Sequence, residues 1–247
     1  MITASFPQLE KSIIIDPITT IDFTNPSMFA SFITCLNANL LGFGEEDEIR
    51  LFDEHDKQIP LSGLLFVYDV LTFDFNARPI TTAIQKNLQK RVSEEAESWE
   101  PMRLELQKLD DAMNNFLLDD PLELEVDDEW DINRLCKVYG VKLKCDPLLS
   151  CLERAEKIIE VTNTLHLAHL IVFKNLSRIF SELERKQLYL FALNETVPLL
   201  VLESGEIKSN ELETVIQIDA DYYEKELPKT PLKNDKSEKL DFIEVLE

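Results

Sequence analysis

The chain has 247 residues, 45% of them hydrophobic, and a formal net charge of −22 at pH 7. This length and apolar content exclude a disordered protein and fit one large domain or two small ones. A protein whose surface is acidic throughout does not bind nucleic acid, because phosphate binding relies on Lys and Arg. The net charge therefore argues against nucleic-acid binding if the charges are evenly distributed. No apolar run approaches the roughly 20 residues of a membrane helix, and no secretion signal opens the chain. We therefore expect a soluble, cytoplasmic protein with no membrane partner.

The first 76 residues alternate between strand and helix patterns. Apolar strands are expected at 12–15 and 18–23, and Asn25 and Pro26 then supply an N-cap and a first-turn proline for a helix. Two further strands are expected at 49–53 and 64–69. The second is continuously apolar, which is typical of a strand covered on both faces.

Residues 77–144 change to a helical pattern. The first helical stretch runs from 77 to 118, with Pro101 opening a new helix. Apolar residues then recur every three or four positions, at Trp99, Met102, Leu106, Leu109, Met113 and Phe116. Such a heptad seam packs against a helix of its own chain or of a neighbour. Asp131 is an N-cap candidate for a short helix ending at Gly140, and 141–145 is a strand or an extended link.

The α/β pattern resumes after residue 145. A helix starting at Asp146–Pro147 is followed by a strand at 169–173, a helix at 181–194 and strands at 197–203 and 214–219. Alternating strands and helices predict a mostly parallel sheet with helices on its faces.

The predicted fold class is therefore an α/β head made of residues 1–76 and 145–224, interrupted by an inserted α-helical leg at 77–144. Residues 225–247 combine two prolines with dense charge and end in LDFIEVL. They predict a flexible, solvated tail, or alternatively a short helix that docks on a partner.

The sequence carries few signatures of enzymatic chemistry. The run LLFVYD, which ends at Asp69, is similar to the metal-holding strand of P-loop nucleotidases, but no GxxxxGK[ST] motif accompanies it. The fold is at most a degenerate relative of that class. His166 and His169 are spaced like metal ligands but lack a third partner nearby, and no GxSxG elbow is present. Paired carboxylates leave a metal-dependent nuclease or phosphohydrolase open, with Asp69, Asp74 and the acidic residues of 119–131 as candidates.

Charge is strongly segregated along the leg. Residues 94–131 carry fifteen acids against Arg103 and Lys108, whereas residues 133–144 carry four bases and no acid. These four bases are Arg134, Lys137, Lys142 and Lys144. Such segregation can leave one basic face on an acidic body.

The densest acidic window, DDPLELEVDDEWD at 119–131, has eight acids in thirteen residues and no base. It is not an EF-hand, because no glycine occupies the sixth position. Calcium takes six to eight oxygen ligands, which such a cluster could supply. The alternative is a solvated acidic face.

Three blocks of sequence carry a resemblance to one family. They are IRLFDEHDKQIPLSGLLFVYDVLTFDFNARPITTAIQKNLQKRV at 49–92, LELEVDDEWDINRLCKVYGVK at 122–142, and the two apolar strands between 169 and 203. The chain resembles the CRISPR-associated adaptation proteins of type II-A systems, the Csn-two family. That resemblance implies a P-loop-like α/β head without nucleotide chemistry, a helical leg, and a homotetrameric ring that encircles the ends of double-stranded DNA. It also implies partners in spacer acquisition, namely the CRISPR integrase complex and the effector nuclease.

The resemblance also implies site residues. The acidic window falls on the family's calcium-binding stretch, which makes Glu123, Glu125 and Asp128 the first candidates for Ca2+ ligands and Asp120 and Asp127 the next. Lys137 and Lys142 fall where the family's lysines face the hole of the ring. Further candidates for DNA binding in this sequence are Lys144, Lys86, Lys90 and Arg134. The leading hypothesis is thus a non-enzymatic, calcium-stabilised ring on DNA, with the hydrolase above and an acidic protein-binding adaptor without DNA affinity as rivals.

Overall fold

The computed structural model describes residues 1–43, 49–118, 122, 124, 131–205, 207 and 209–229. The strands in these ranges are β1 (Ile2–Ser5), β2 (Ile13–Ile15), β3 (Ile18–Phe23), β4 (Arg50–Phe52), β5 (Gln58–Ile59), β6 (Leu64–Val67), β7 (Leu170–Lys174), β8 (Leu199–Ser204), β9 (Thr214–Ile218) and β10 (Glu224–Glu226). The α-helices are α1 (Pro26–Leu40), α2 (Arg78–Glu94), α3 (Ala96–Leu117), α4 (Ile132–Val138), α5 (Cys151–Thr164), α6 (Leu176–Ile179) and α7 (Glu182–Asn194).

A six-stranded sheet has the order β10-β9-β3-β8-β7-β6. All neighbours pair in parallel except β10, which is antiparallel to β9. The predicted mostly parallel sheet is therefore confirmed. Two of its inner strands, β7 and β8, begin with apolar runs of four residues, and β8 is buried along all but its last residue. A strand covered on both faces requires such a run.

Each face of this sheet has its own core. On one face, α1 and a small antiparallel sheet of order β2-β1-β4-β5 enclose an aromatic cluster, in which the ring centroid of Phe32 lies 4.8 Å from that of Phe6 and 4.9 Å from that of Phe23. On the other face, α5 and α7 cover β7 and β8. The sequence did not reveal this small sheet as a separate layer, because its strands are only two to four residues long.

Local capping signals set several helix starts. The side chain of Asn25 accepts a hydrogen bond from the Ser27 N–H, and that of Asp131 accepts one from the Arg134 N–H. Ser181 caps α7 through a reciprocal capping box with Glu184. These caps occupy donors that the first turn of a helix leaves unpaired, and they confirm three predicted helix starts.

Two predicted helix starts are wrong. The helix expected from Asp146–Pro147 begins at Cys151, where Ser150 and Glu153 form a capping box. The Asp146 carboxylate instead accepts from the Leu148 N–H at 2.9 Å and closes a turn. Pro101 does not open a helix either, since it lies inside α3, and the chain breaks earlier, at Glu95 between α2 and α3.

Helix α2 contacts both α3 and α4. The predicted heptad seam on α3 is only partly covered within the chain. Leu106 is buried, whereas Met102, Leu109, Met113 and Phe116 are exposed. Among the described helices, none is both long enough and apolar enough to span a bilayer.

Candidate nucleic-acid interface

Helix α2 presents a stripe of cations. Arg78, Lys86 and Lys90 lie at intervals of four or eight residues and are all exposed. Residues four apart share a helix face and each adds about 1.5 Å of rise, so the stripe is about 18 Å long. The opposite side of α2 faces the protein through the buried Ile80. Between residues 78 and 93 this helix carries four bases and no acid.

The stripe borders an open cleft of about 620 Å³. Its far wall is the turn between α5 and β7, formed by Leu165, His166 and Leu167. His166 has a positive φ of 49°, which gives the sharp turn back towards the sheet. The sequence predicted Lys86 and Lys90 as site residues but missed Arg78 and His166. Arg78 could have been found from its spacing to Lys86, whereas His166 joins the cleft only through the packing of the sheet.

The cations of α2 differ from those of α3 in their ion pairing. Arg78 and Lys86 form no ion pair with any described acid, and Lys90 lies 3.8 Å from Glu94 with both side chains mostly exposed. On α3, Arg103 and Lys108 lie 2.7 Å from Glu100 and Glu105. The Arg103 guanidinium lowers the pKa of Glu100 through their hydrogen bond. The α3 cations are therefore already neutralised, whereas Arg78 and Lys86 of α2 are available to an anion.

A second group of cations comes from α4 and the segment after it. Leu135 and Cys136 face inward, and burial raises the pKa of the Cys136 thiol. Arg134 and Lys137 are exposed on the same short helix. The helix ends before Gly140, whose φ of 60° turns the chain.

The segment that follows α4 is attached to the start of α2. The Leu143 N–H donates to Asn76 Oδ1 at 2.8 Å, and Asn76 Nδ2 donates to the Leu143 carbonyl at 3.4 Å. This confirms the extended link for residues 141–145. Lys142 and Lys144 flank Leu143, so both exposed lysines lie near the foot of the α2 stripe. The structure thus places the predicted cations Lys142 and Lys144 beside the first turn of α2, the helix that carries Lys86 and Lys90.

The predicted calcium ligands lie outside the described residues. They are Asp120, Glu123, Glu125, Asp127 and Asp128. Among the residues that the structure does describe, no three His, Cys, Asp or Glu side chains are grouped to hold a metal ion.

The two aspartates proposed for a hydrolase have local structural roles. Asp69 accepts from the Leu71 N–H and the Thr72 hydroxyl, both at 2.9 Å. Asp74 accepts from the Asn76 N–H at 2.8 Å. Each carboxylate closes its own turn, as Asp often does in loops.

A buried polar cluster along the central strands was missed by the sequence analysis. Asp22 on β3 and Glu203 on β8 are paired in register, and Glu213 lies just before β9. All three are almost fully buried, and burial raises the pKa of both Glu203 and Glu213. Arg185 of α7 is buried beside the two glutamates, and its Nε and Nη1 find no hydrogen-bond acceptor among the described groups. The sequence does carry one signal for this cluster, namely an acidic residue within an otherwise apolar strand.

The comparisons of this sequence with known proteins agree on one family. The sequence model of the family described as CRISPR-associated protein (Cas_Csn2) matches residues 42–222. A CRISPR-associated protein Csn2 of Streptococcus agalactiae is 28% identical over 178 residues, 71% of this chain and 76% of that protein. A CRISPR-associated protein Csn2 of Enterococcus faecalis is 24% identical over 208 residues, 83% of this chain and 91% of its own length.

A solved structure agrees on the fold. The crystal structure of Stu0660 of Streptococcus thermophilus matches with a TM-score of 0.57 at 14% identity, covering 92% of this chain and 76% of that chain. Together with the family match over residues 42–222, this means that the chain belongs to the Csn2 family of CRISPR-associated proteins.

Proposed function

We propose that this chain binds the ends of double-stranded DNA without reading their sequence and supports spacer acquisition in CRISPR immunity. In this proposal it acts without catalysis, as a calcium-stabilised homotetrameric ring whose leg is formed by residues 77–144. Its partners are the CRISPR integrase complex and the effector nuclease. The membership of this chain in a CRISPR-associated family supports a role in CRISPR immunity.

The observation that carries the DNA-binding proposal is the cation stripe on α2. The chain has a net charge of −22, so a duplex would be repelled from most of its surface. Arg78 and Lys86 are exposed and form no ion pair with the described acids, in a stretch of helix free of acids. Cations of this kind release counterions from phosphates, and phosphate contacts carry no base information. We therefore expect affinity that depends steeply on salt and is independent of sequence.

The test compares two double charge reversals of the full chain. Arg78→Glu with Lys86→Glu changes the two cations of the α2 stripe that have no ion pair with described acids, and Arg103→Glu with Lys108→Glu makes the same net change on the paired cations of α3. If the stripe contacts phosphates, the first variant should lower the magnitude of the slope of log affinity against log salt by up to about 1.8, at roughly 0.9 per lost contact. The α3 variant should leave the slope near the wild-type value. Equal losses in both variants would mean that only total charge matters.

The second cation group is tested with Lys137→Glu and Lys142→Glu together. This variant should weaken binding to the same extent for every duplex sequence.

The same gel-shift assay tests whether the protein needs a free DNA end, by comparing linear duplex with a small covalently closed circle of equal sequence. A closed ring loads over a free end, so the linear form should bind and the circle should not. Comparable affinity for both forms would contradict encirclement of DNA ends.

The calcium part of the proposal is supported by the composition of residues 119–131. Eight carboxylates in thirteen residues repel one another unless a cation or water screens them. Calcium suits a flexible site with several carboxylates better than magnesium does, because magnesium requires a tight octahedron and keeps its waters. We expect calcium to raise the melting temperature by mass action, and magnesium to raise it less. Changing Glu123 and Glu125 to Gln and Asp128 to Asn should abolish the response. Identical melting curves of the wild type in calcium and in chelator would contradict a calcium site.

A further inference from the structure

The open cleft beside the α2 stripe, which we call the α2 cleft, has a titratable side chain on the wall opposite the cations. Arg78, Lys86 and Lys90 form one wall, and the turn that carries His166 forms the other. His166 is exposed. The volume of about 620 Å³ is comparable with that of sites for drug-sized ligands. The α2 cleft can therefore hold a phosphate with its sugar between the two walls.

The backbone fixes the position from which His166 enters the cleft. The His166 N–H donates to the Asn163 carbonyl at 3.1 Å. The next N–H, that of Leu167, donates to the Thr162 carbonyl at 3.0 Å. The φ of 49° at His166 lies in the left-handed region, which Gly and Asn adopt with the least strain. The imidazole is therefore presented by a hydrogen-bonded turn rather than by a free loop.

Charged groups lie on both sides of His166. Across the α2 cleft lies the α2 stripe. His166 also lines a second, smaller cavity of about 420 Å³, together with Asp53 of the β4–β5 turn and His169, which precedes β7. Glu195, just after α7, is hydrogen-bonded to the last turn of α5. The α2 stripe therefore opposes positive charge on the imidazole, while Asp53, Glu195 and the carbonyl end of α5 favour it.

We propose that protonated His166 is a further phosphate contact of the α2 cleft, so that DNA binds more tightly as pH falls from 8 to 6. This inference rests on the proposed function, since it requires that the α2 stripe holds a DNA phosphate. A phosphate between the two walls attracts both the stripe and the imidazolium, which would otherwise repel each other. Imidazole is the side chain that changes charge in this pH range. Proton and phosphate then favour each other's binding by the same factor.

The test measures the affinity of the full chain for a linear duplex with hydroxyl ends, at pH 6 and at pH 8, over a series of salt concentrations. Ends without phosphate are used because a terminal phosphate itself titrates at about pH 6. Each additional phosphate contact raises the magnitude of the slope of log affinity against log salt by about 0.9. For the wild type we therefore expect a slope that is larger at pH 6 by up to about 0.9 for each chain in contact with the DNA.

Three variants separate His166 from the other titrating groups. His166→Asn removes the imidazole and suits the positive φ, so it should fold and show the same slope at both pH values. His166→Lys keeps a cation at both pH values and should show the larger slope at both. His55→Asn is the matched control, because it also removes one exposed imidazole, but from a turn that does not line the α2 cleft. This control should behave like the wild type.

Two results would overturn the inference. One is a wild-type slope that does not change with pH. The other is a change of the same size in His166→Asn, which would come from other titrating groups. Failure of the proposed function gives a different result, because the slope at pH 8, where an ordinary imidazole carries little charge, reports the contacts of the α2 stripe. If the wild type shows no salt-dependent binding at either pH, the proposed function and this inference fail together.

Discussion

The buried Glu213 should make the stability of this protein depend on pH in a direction unusual for a carboxylate. Its side chain accepts hydrogen bonds from the Thr20 hydroxyl, from the Tyr189 hydroxyl at 3.1 Å and from Asn210 Nδ2 at 2.6 Å. Burial raises the pKa of Glu213 above its ordinary value of 4.5, even though Thr20 and the nearby Arg185 oppose the shift. The folded state therefore favours the protonated form more than the unfolded state does.

The size of the effect follows from the number of contacts. Replacing Glu213 with Ala removes the acceptor of three buried donors, each of which costs about 1–3 kcal/mol when left unsatisfied. Allowing for hydroxyl groups that reorient, we expect a loss of about 3–5 kcal/mol in the free energy of unfolding. For a chain of this size, each kcal/mol lowers Tm by about 2–4 °C, so Tm should fall by roughly 6–20 °C.

Replacing Glu213 with Gln separates packing from ionisation. Because the pKa is raised in the folded state, the stabilising contribution is complete below the unfolded pKa near 4.5 and is lost as pH rises through the folded pKa. The Tm of the wild type minus that of Glu213→Gln should therefore decrease from pH 5 upward and then level off. The range starts at pH 5 because the chain has a pI of about 4.5, where proteins tend to associate.

Calorimetry of the wild type and Glu213→Gln between pH 5 and pH 8 provides the assay. A difference that stays constant across the range would mean that Glu213 has the same pKa in the folded and unfolded states. A difference that grows with pH would mean that the pKa is lowered, so that the attraction of Arg185 outweighs burial. Either outcome would refute a pKa of Glu213 that burial raises.

Two further predictions concern stability around the cation groups. Asp131→Ala removes the N-cap of α4 and should cost about 1 kcal/mol, read as a small fall in Tm together with faster amide exchange in that helix. Arg154→Ala removes hydrogen bonds to the carbonyls of Val70 and Phe73, at 3.2 and 3.1 Å, and should cost about 2 kcal/mol. Lys157→Ala, which removes a partly exposed pair on the same helix, is the control and should cost less than about 1 kcal/mol.

The sequence predicted those parts of the fold that depend on local patterns. The apolar run of β8 and the capping residues of α1 and α7 carry their information within a few positions. The start of α5 was misplaced because both Asp146 and Ser150 are good capping residues, and packing decides between them. In the small sheet, β2 and β4 were predicted at 12–15 and 49–53, whereas β1 and β5, with four and two residues, were too short to show a period.

The residues of the candidate site also differ in whether a local sequence pattern reveals them. Lys86 and Lys90 could be predicted because they lie four residues apart in a helical stretch that has no acid between residues 78 and 93. The cleft beside them could not, because it also requires His166, which the fold brings from about eighty residues away. The pairing of Asp22 with Glu203 depends on the parallel register of β3 and β8, which no local pattern specifies.

Asp22 and Glu203 of the buried cluster make the carboxyl end of the sheet unfavourable for a phosphate. Ligands of open α/β sheets bind beyond the carboxyl ends of the central strands, where free backbone N–H groups receive phosphates. At this position Asp22 accepts from the N–H of Gly205 at 3.2 Å, and Glu203 accepts from the N–H of Ser177 at 2.8 Å. The chain's own carboxyl groups thus occupy the donors that a nucleotide would use. A phosphate brought there would also meet these acids at close range in a poorly solvated region, where repulsion between like charges is strong. Exposed cations on α2 present neither obstacle, so a polyanion that binds this acidic protein should bind there.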